Sequence, residues 1–376
     1  MIGTADAGLA LASGARPGRR SDLEVRLRSG AEYVAIPVLA LLASAALFSL
    51  FLLALGKSPA TFFELVWRGG FGTAFSLQNT LQRAAPLVMT ALCVAIPARI
   101  GLVVIGGEGA LVLGGLAAAA VSIPLVGVAP PALVMPLMAI CAVLAGALWI
   151  GFAGFIRHRR GVNETIATLL LSYIAIAVMN FFVEGALRDP ASANKPSTKP
   201  IGEAYLVGDL PGTDVHWGLA AGLLLCVVLH LAMTRTTFGF AARVTGGNPR
   251  AALAQGLPVG PLIIACTMIA GACAGLAGYF EVAAIHGTAN ASLVAGYGFT
   301  GILVSFLARH NALAIPPVAL LFGGIAAAGG LIQRRMGLPD ATVLLLQGII
   351  FVVLLASETL YGRFKIFQVQ GEAART

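Results

Sequence analysis

"GLVVIGGEGALVLGGLAAAA", residues 101–120, carries a single acid, Glu108, in a run otherwise made of aliphatic residues and six glycines. A carboxylate in lipid surroundings is costly unless it is paired, protonated or wet. Glycines at this density let a helix break or let a neighbouring backbone approach closely. Two readings of Glu108 follow. Either it lies near a translocation path or fixes a broken helix, with Gly107 and Gly109 beside it. Or it caps the N-terminus of a helix over 107–126 at the cytoplasmic boundary, where a negative charge favours the helix dipole.

The rest of the chain supports a lipid setting. Of 376 residues, 58% are hydrophobic and only 11% are charged, against about a quarter charged in soluble domains. Apolar runs recur at 33–55, 84–98, 107–126, 131–154, 165–183, 217–233, 261–283, 297–308, 313–332 and 341–358. A span needs about 20 residues, so 84–98 and 297–308 read as short, re-entrant or broken. The first run, Tyr33–Leu55, is too long for a typical signal-peptide core and reads as a retained helix. The sequence therefore predicts an all-α polytopic membrane helix bundle of about ten transmembrane helices with Gly-rich broken segments.

Lys and Arg orient it. With ten spans, 16 of the 24 basic residues fall on the side of the N-terminus and 8 on the other, which predicts N-in/C-in. Residues 1–32 then form a basic cytoplasmic tail, 33–358 the transmembrane domain and 359–376 a cytoplasmic C-terminal tail. Residues 185–216 become a long periplasmic loop rich in Pro and Ser. Residues 57–80 open on Ser58–Pro59 and predict a short interfacial helix bearing Phe62, Phe63, Leu65 and Trp67. Gly271, Gly275 and Gly278 flatten one helix face, as Gly323, Gly324, Gly329 and Gly330 do on another.

Several chemistries are excluded. The net charge of +8 is spread over loops that flank spans and does not form a nucleic-acid face. The five cysteines lie singly in apolar runs, which argues against disulfides or zinc. No His/Cys/Asp/Glu cluster has metal-ligand spacing, and no Gly-x-Ser-x-Gly nucleophile motif occurs. "GKS" at 56–58 is not a phosphate loop, because that motif needs glycine at 51 and Phe51 stands there. Glu281, in "GYFEVAAIHG", reads as an interfacial polar residue or as a second lining residue of a path; Tyr279 and His286 are close in sequence.

The longest connection on the cytoplasmic side is 234–260, with Arg235, Arg243 and Arg250 and no acid. Inside it "GGNPRAALAQG", 246–256, reads as a small helix. Asn248 suits the N-cap, Pro249 the first helical position, and Gly256 with Pro258 the stop. So short a helix is not stable alone. It reads either as packed on its own bundle or the membrane, or as a rigid rod docking in a groove on a soluble partner through Ala252, Leu253 and their neighbours, with Arg243 and Arg250 adding charge contacts.

These stretches resemble one family. "GLVVIGGEGALVLGGLAAA" is similar, at Gly107, Glu108 and Gly109, to the Asn-Ile-Gly-x-Glu-Gly-Gln pattern of permease subunits of bacterial ABC importers for simple sugars and nucleosides. Gly239, Arg243, Gly246, Asn248, Ala251, Ala252 and Gly256 fit that family's cytoplasmic loop, and 164–182 and 296–324 resemble its other segments. The likeness covers about 80–358 and is closest to a ribose-permease-like chain paired with a basic-membrane-protein-type binding lipoprotein. It implies an inner-membrane transport subunit with no catalytic residues and no cofactor of its own, ATP and Mg being bound by a cytoplasmic ATPase. It also implies a second permease, with a heterodimer favoured, and a periplasmic or lipid-anchored binding protein. The 234–260 loop then becomes a coupling loop, with Arg243, Asn248, Pro249, Arg250, Ala252, Leu253 and Gly256 as the contact set. Rival readings are a branched-chain amino acid permease, an ion-coupled secondary transporter using Glu108 and Glu281, and a membrane scaffold.

Overall fold

The computed structural model describes residues 19–192 and 194–358. Thirteen α-helices follow one another: α1 Arg19–Ala54, α2 Pro59–Gly70, α3 Ala74–Ala98, α4 Gly107–Ser122, α5 Pro131–Arg160, α6 Glu164–Glu184, α7 Gly218–Arg235, α8 Thr237–Gly247, α9 Pro249–Ala254, α10 Val259–Phe280, α11 Tyr297–Leu307, α12 Ile315–Met336 and α13 Ala341–Glu358. Among the described residues, seven segments are long and apolar enough to cross a membrane, the longest being Pro131–Arg160. Three shorter apolar segments, Gly107–Ser122, Ala291–Leu307 and Ala341–Ser357, fall on three of the remaining apolar runs. The all-α polytopic bundle expected from the sequence is therefore the observed fold. The tail 359–376 and residues 1–18 lie outside the described residues.

The chain divides into two units, Met1–Leu50 with Gly348–Thr376, and Phe51–Gln347. In the first, Leu39, Leu42 and Leu50 of α1 are exposed, an apolar surface suited to lipid tails. The candidate site lies in the second unit.

At its centre α10 packs on α5, α4 and α3. The predicted glycine face makes this possible. Gly271 and Gly275 lie against Gly146 of α5, and Gly278 lies against the Leu111 carbonyl and Gly115 of α4, with no room for a Cβ at any of them. On α12, Gly323 receives the backbone of α3 at Thr80 and Ala84, and Gly324 receives the Phe71 ring. Gly330 meets no other helix, only the side chain of Arg334 within its own.

Two expectations change. The run 84–98 is not a short or broken element: α3 starts ten residues earlier, at Ala74. Thr73 caps it, its Oγ1 accepting from Ser76 N at 3.0 Å. The polar residues that hid the extension are satisfied, Ser76 Oγ donating to Arg68 O at 2.9 Å and buried Thr80 Oγ1 to Gly70 O at 2.7 Å. The helix expected after Ser58 forms as α2, but it does more than rest at an interface. Phe62 and Leu65 are buried and Gly69 and Gly70 pack on Ala328 and Gly324 of α12, while Trp67 stays exposed. The long loop 185–216, expected as an ordered or half-ordered connection, is held by hydrogen bonds. Val207 N donates to Ala283 O at 2.7 Å, Ile201 N to Gly287 O at 2.9 Å, and Tyr205 Oη donates to Ala129 O at 2.9 Å. This segment lies over the chain that joins α10 to α11 and over the turn between α4 and α5.

Two non-helical stretches matter most, 101–105 before α4 and 287–296 before α11, the latter relieved only by a short 3-10 turn at Ala291–Leu293. Irregular backbone within a membrane domain survives only where protein partners satisfy it. Thr168 Oγ1 accepts from Ile105 N at 3.1 Å and Thr165 Oγ1 donates to Val103 O at 2.9 Å. Thr198 does the same for Ala289.

Candidate functional site

The loop 234–260 folds into two helices where the sequence suggested one. Thr236 Oγ1 accepts from Gly239 N at 3.2 Å and starts α8. This helix buries Gly239, Ala241, Ala242 and Thr245 and ends at Gly247. Gly239 sits directly under the Met233 carbonyl, and Arg243 donates to that same carbonyl, so the α7–α8 corner is closed. Its signal was present in Thr236, the helical spacing of the small residues and the Gly246–Gly247 stop.

Next, α9 forms as expected. Asn248 Oδ1 accepts from Arg250 N at 3.0 Å and Ala251 N at 3.1 Å, Pro249 occupies the first turn, and Gly256 takes a left-handed φ of +77°. Six residues do not hold a helix alone; α8 and the start of α10 support it. Gly260 in turn lies against the His158 ring at the end of α5. One residue of the expected contact set is corrected. Ala252 is fully buried in its own chain and seats α9; Leu253 is 60% exposed and, with Arg250, Ala251 and Ala254, forms the free face.

The second locus is Glu108. It lies in the first turn of α4 and is fully buried. Its carboxylate does not cap α4. Oε1 accepts from Gly296 N at 2.8 Å and Oε2 from Gly298 N at 2.6 Å, so it caps α11, 188 and 190 residues away. Two helix N-termini, each with a positive dipole end, thus converge on one carboxylate. Gly298 lies directly on the backbone of Gly107 and Glu108, and Gly109 on Ser172 of α6, so neither position has room for a side chain. The reading of Glu108 as the cap of its own helix is thus overturned: the carboxylate lies in the first turn of α4 but holds the start of α11.

Glu281 is buried, 2% exposed. It opens a π-helical turn, Glu281–His286, and its Oε2 lies 3.5 Å from His286 Nε2. Around it stand groups the sequence reading missed. Tyr297 and His216 are within electrostatic reach of Glu281, and Arg83 of α3 reaches the Tyr297 phenol. His216 accepts from Gly218 N through Nδ1 at 3.1 Å and stacks on Phe280. Burial holds it below the ordinary histidine range, against the opposing pull of Glu281 and Asp209. Glu108 and Glu281 feel each other's charge without sharing a hydrogen bond. A buried polar group of this kind in a membrane bundle marks a place where polar solute or tightly paired structure sits.

Comparison with known proteins places these features. The family described as "Branched-chain amino acid transport system / permease component" matches residues 76–355, which contain both loci. The glucose ABC transporter permease protein TsgB13 of Haloferax volcanii is 32% identical, over 88% of this chain and 89% of that protein. The guanosine ABC transporter permease protein NupP of Bacillus subtilis is 30% identical, over 86% and 94%. The nucleoside ABC transporter permease protein NupB of Lactococcus lactis is 27% identical, over 77% and 82%. Permeases of this kind are multi-pass membrane transport subunits that act with an ATPase and a substrate-binding partner. The chain belongs to this permease-component family of ABC transport systems.

Proposed function

We propose that this chain is one of two membrane subunits of an inner-membrane importer for a nucleoside or a simple sugar. The printed activities of its relatives, glucose, guanosine and nucleoside transport, support that substrate class. The chain is oriented N-in/C-in, with 1–32 and 359–376 as cytoplasmic tails and 185–216 facing a periplasmic or lipid-anchored binding protein. A heterodimer with a second permease is favoured by the length of the chain and of that outer segment. ATP and Mg are bound and used by the separate ATPase.

One observation carries the coupling assignment. Within 234–260, α9 is a compact rod, capped by Asn248 and Pro249 and stopped at Gly256, that buries Ala252 and exposes Leu253 and Arg250. Such an element transmits a push because it is fixed to α8 on one side and α10 on the other. In this reading Leu253 and Arg250 meet the ATPase, Arg243 closes the α7–α8 corner, and ATPase closure drives the bundle between inward- and outward-open states. Solute passes at the interface of the two permeases, near the Gly107–Glu108–Gly109 junction and Glu281.

The test is co-purification and transport by the full complex. Replacing Leu253 with Asp should leave the chain in the membrane and weaken its hold on the ATPase, with uptake lost. Unchanged uptake would refute the docking assignment. The family description keeps branched-chain amino acids as a second substrate class; competition of radiolabelled guanosine or glucose uptake by leucine decides between them.

A further inference from the structure

The segment 99–108 touches α11 at both ends. At the inner end Glu108 caps its first turn through Gly296 and Gly298. At the other end Arg99 Nη2 donates to the carbonyl of His310 at 2.9 Å, just past the last turn of α11. That turn is unusual. Arg309 and His310 both have left-handed φ values, 51° and 54°, and are the two non-glycine residues with positive φ among the described residues. L-residues avoid this region, and adjacent pairs of them persist only where surroundings hold them. Here Arg99 holds the carbonyl, Ser305 Oγ lies 2.9 Å from His310 Nδ1, and the His310 ring rests edge-on against Phe306 at 4.8 Å.

The same segment is where α8 bears on the bundle. Gly246, two residues before Asn248, lies directly on the Arg99 carbonyl and on Ile100, and no Cβ fits between them. Gly101, with φ +78°, faces the Gly246 carbonyl from the other side. From Gly101 a non-helical stretch, braced on α6 by Thr165 and Thr168, leads into the first turn of α4 at Gly107 and Glu108. A displacement of α8–α9 therefore reaches α11 through one continuous piece of backbone with two grips.

We propose that residues 99–108 form a yoke that moves α11 as a unit when α8–α9 is pushed, with Arg99 as the positioning residue that holds the left-handed turn at Arg309–His310. The idea rests on the assignment of α9 as the ATPase-facing element. In one position of the yoke Arg99 keeps the turn wound and α11 fixed. When Arg99 is drawn away with α8, the turn relaxes and α11, still gripped at its start by Glu108, shifts with the yoke.

The experiment uses the full transporter, with its ATPase and second permease, in lipid. Spin labels at Phe299→Cys on α11 and Tyr173→Cys on α6, both exposed positions, report their separation without nucleotide and after trapping with ATP and vanadate. The wild-type background should show a shift on trapping. Arg99→Gln should still trap nucleotide and lose most of that shift. His310→Gly, which adopts a left-handed turn unaided and so folds readily, should lose it as well, and the double variant should be no worse than either single. Ser305→Ala, which removes only the side-chain bond to His310, should retain it. Absence of a shift in the wild-type background, or a full shift in Arg99→Gln, overturns the yoke. Leu253→Asp separates the two assignments: if it abolishes the shift while Arg99→Gln does not, α9 stands and the yoke falls. If it leaves trapping and shift intact, the docking assignment itself has failed.

Discussion

Oε2 of Glu108 lies 2.6 Å from the backbone nitrogen of Gly298, and Oε1 lies 2.8 Å from that of Gly296. One carboxylate therefore joins the start of α4 to the start of α11. Removing it leaves the buried N–H of Gly298 and the half-buried N–H of Gly296 without this partner, and an unpaired buried group costs about 1–3 kcal/mol. Glu108→Ala should lower the thermal midpoint of the detergent-solubilised protein clearly. Glu108→Gln, which keeps one acceptor oxygen but turns its NH₂ towards a second donor, should lower it less. Equal midpoints for wild type and Glu108→Ala would contradict the assignment.

The close contacts of α10 give a second prediction. Gly146→Ala places a methyl into the carbonyl of Gly271, and overpacking of this kind costs about 1–3 kcal/mol. Gly348 in α13 has nothing within 4 Å of a Cβ, so Gly348→Ala should be neutral or gain up to about 1 kcal/mol from helix propensity. Thermal unfolding of the two variants should move in opposite directions or leave Gly348→Ala unmoved. Equal destabilisation would mean that the glycine face is not what seats α10.

The cap of α9 gives a third. Asn248→Ala removes two accepted bonds and should cost about 1 kcal/mol locally, read as faster amide hydrogen exchange at Arg250 and Ala251. Asn248→Asp should keep slow exchange.

Acid supplies a fourth. Burial, aided by Arg99, lowers His310 from the ordinary 6.5 to about 4. The folded turn thus holds neutral imidazole where the unfolded chain takes up a proton. Its contribution to stability is whole above about pH 6.5 and is lost as pH falls towards 4. His310→Asn removes the titrating group, so the loss of thermal stability between pH 7 and pH 5 should be smaller in that variant. The same slope in both proteins would show that His310 is not the group responsible.

Legibility of the fold followed from locality. The spans and α9 were readable because their signals are local: runs of apolar residues, and Asn248–Pro249 followed by Gly256. The α10 face was readable because glycine spacing encodes it. The extension of α3 was not, because Gln78, Asn79 and Thr80 look like loop residues until the Gly70 carbonyl that accepts from Thr80 is known. The inward turn of Ala252 depends on tertiary support. The true partner of Glu108 is hidden for the same reason: Gly298 is 190 residues away. Arg83, Tyr297 and His216 gather near Glu281 only because α3, the start of α11 and the irregular segment before α7 pass the end of α10.

The central claim is that this bundle is driven from outside by a nucleotide-using partner through α9. Its most direct measurement is solute accumulation in vesicles, first with this chain alone under a proton or sodium gradient, then with the second permease, ATPase, binding protein and ATP. The account predicts no accumulation in the first case, and in the second accumulation that Leu253→Asp abolishes. Accumulation by this chain alone from an ion gradient would contradict it.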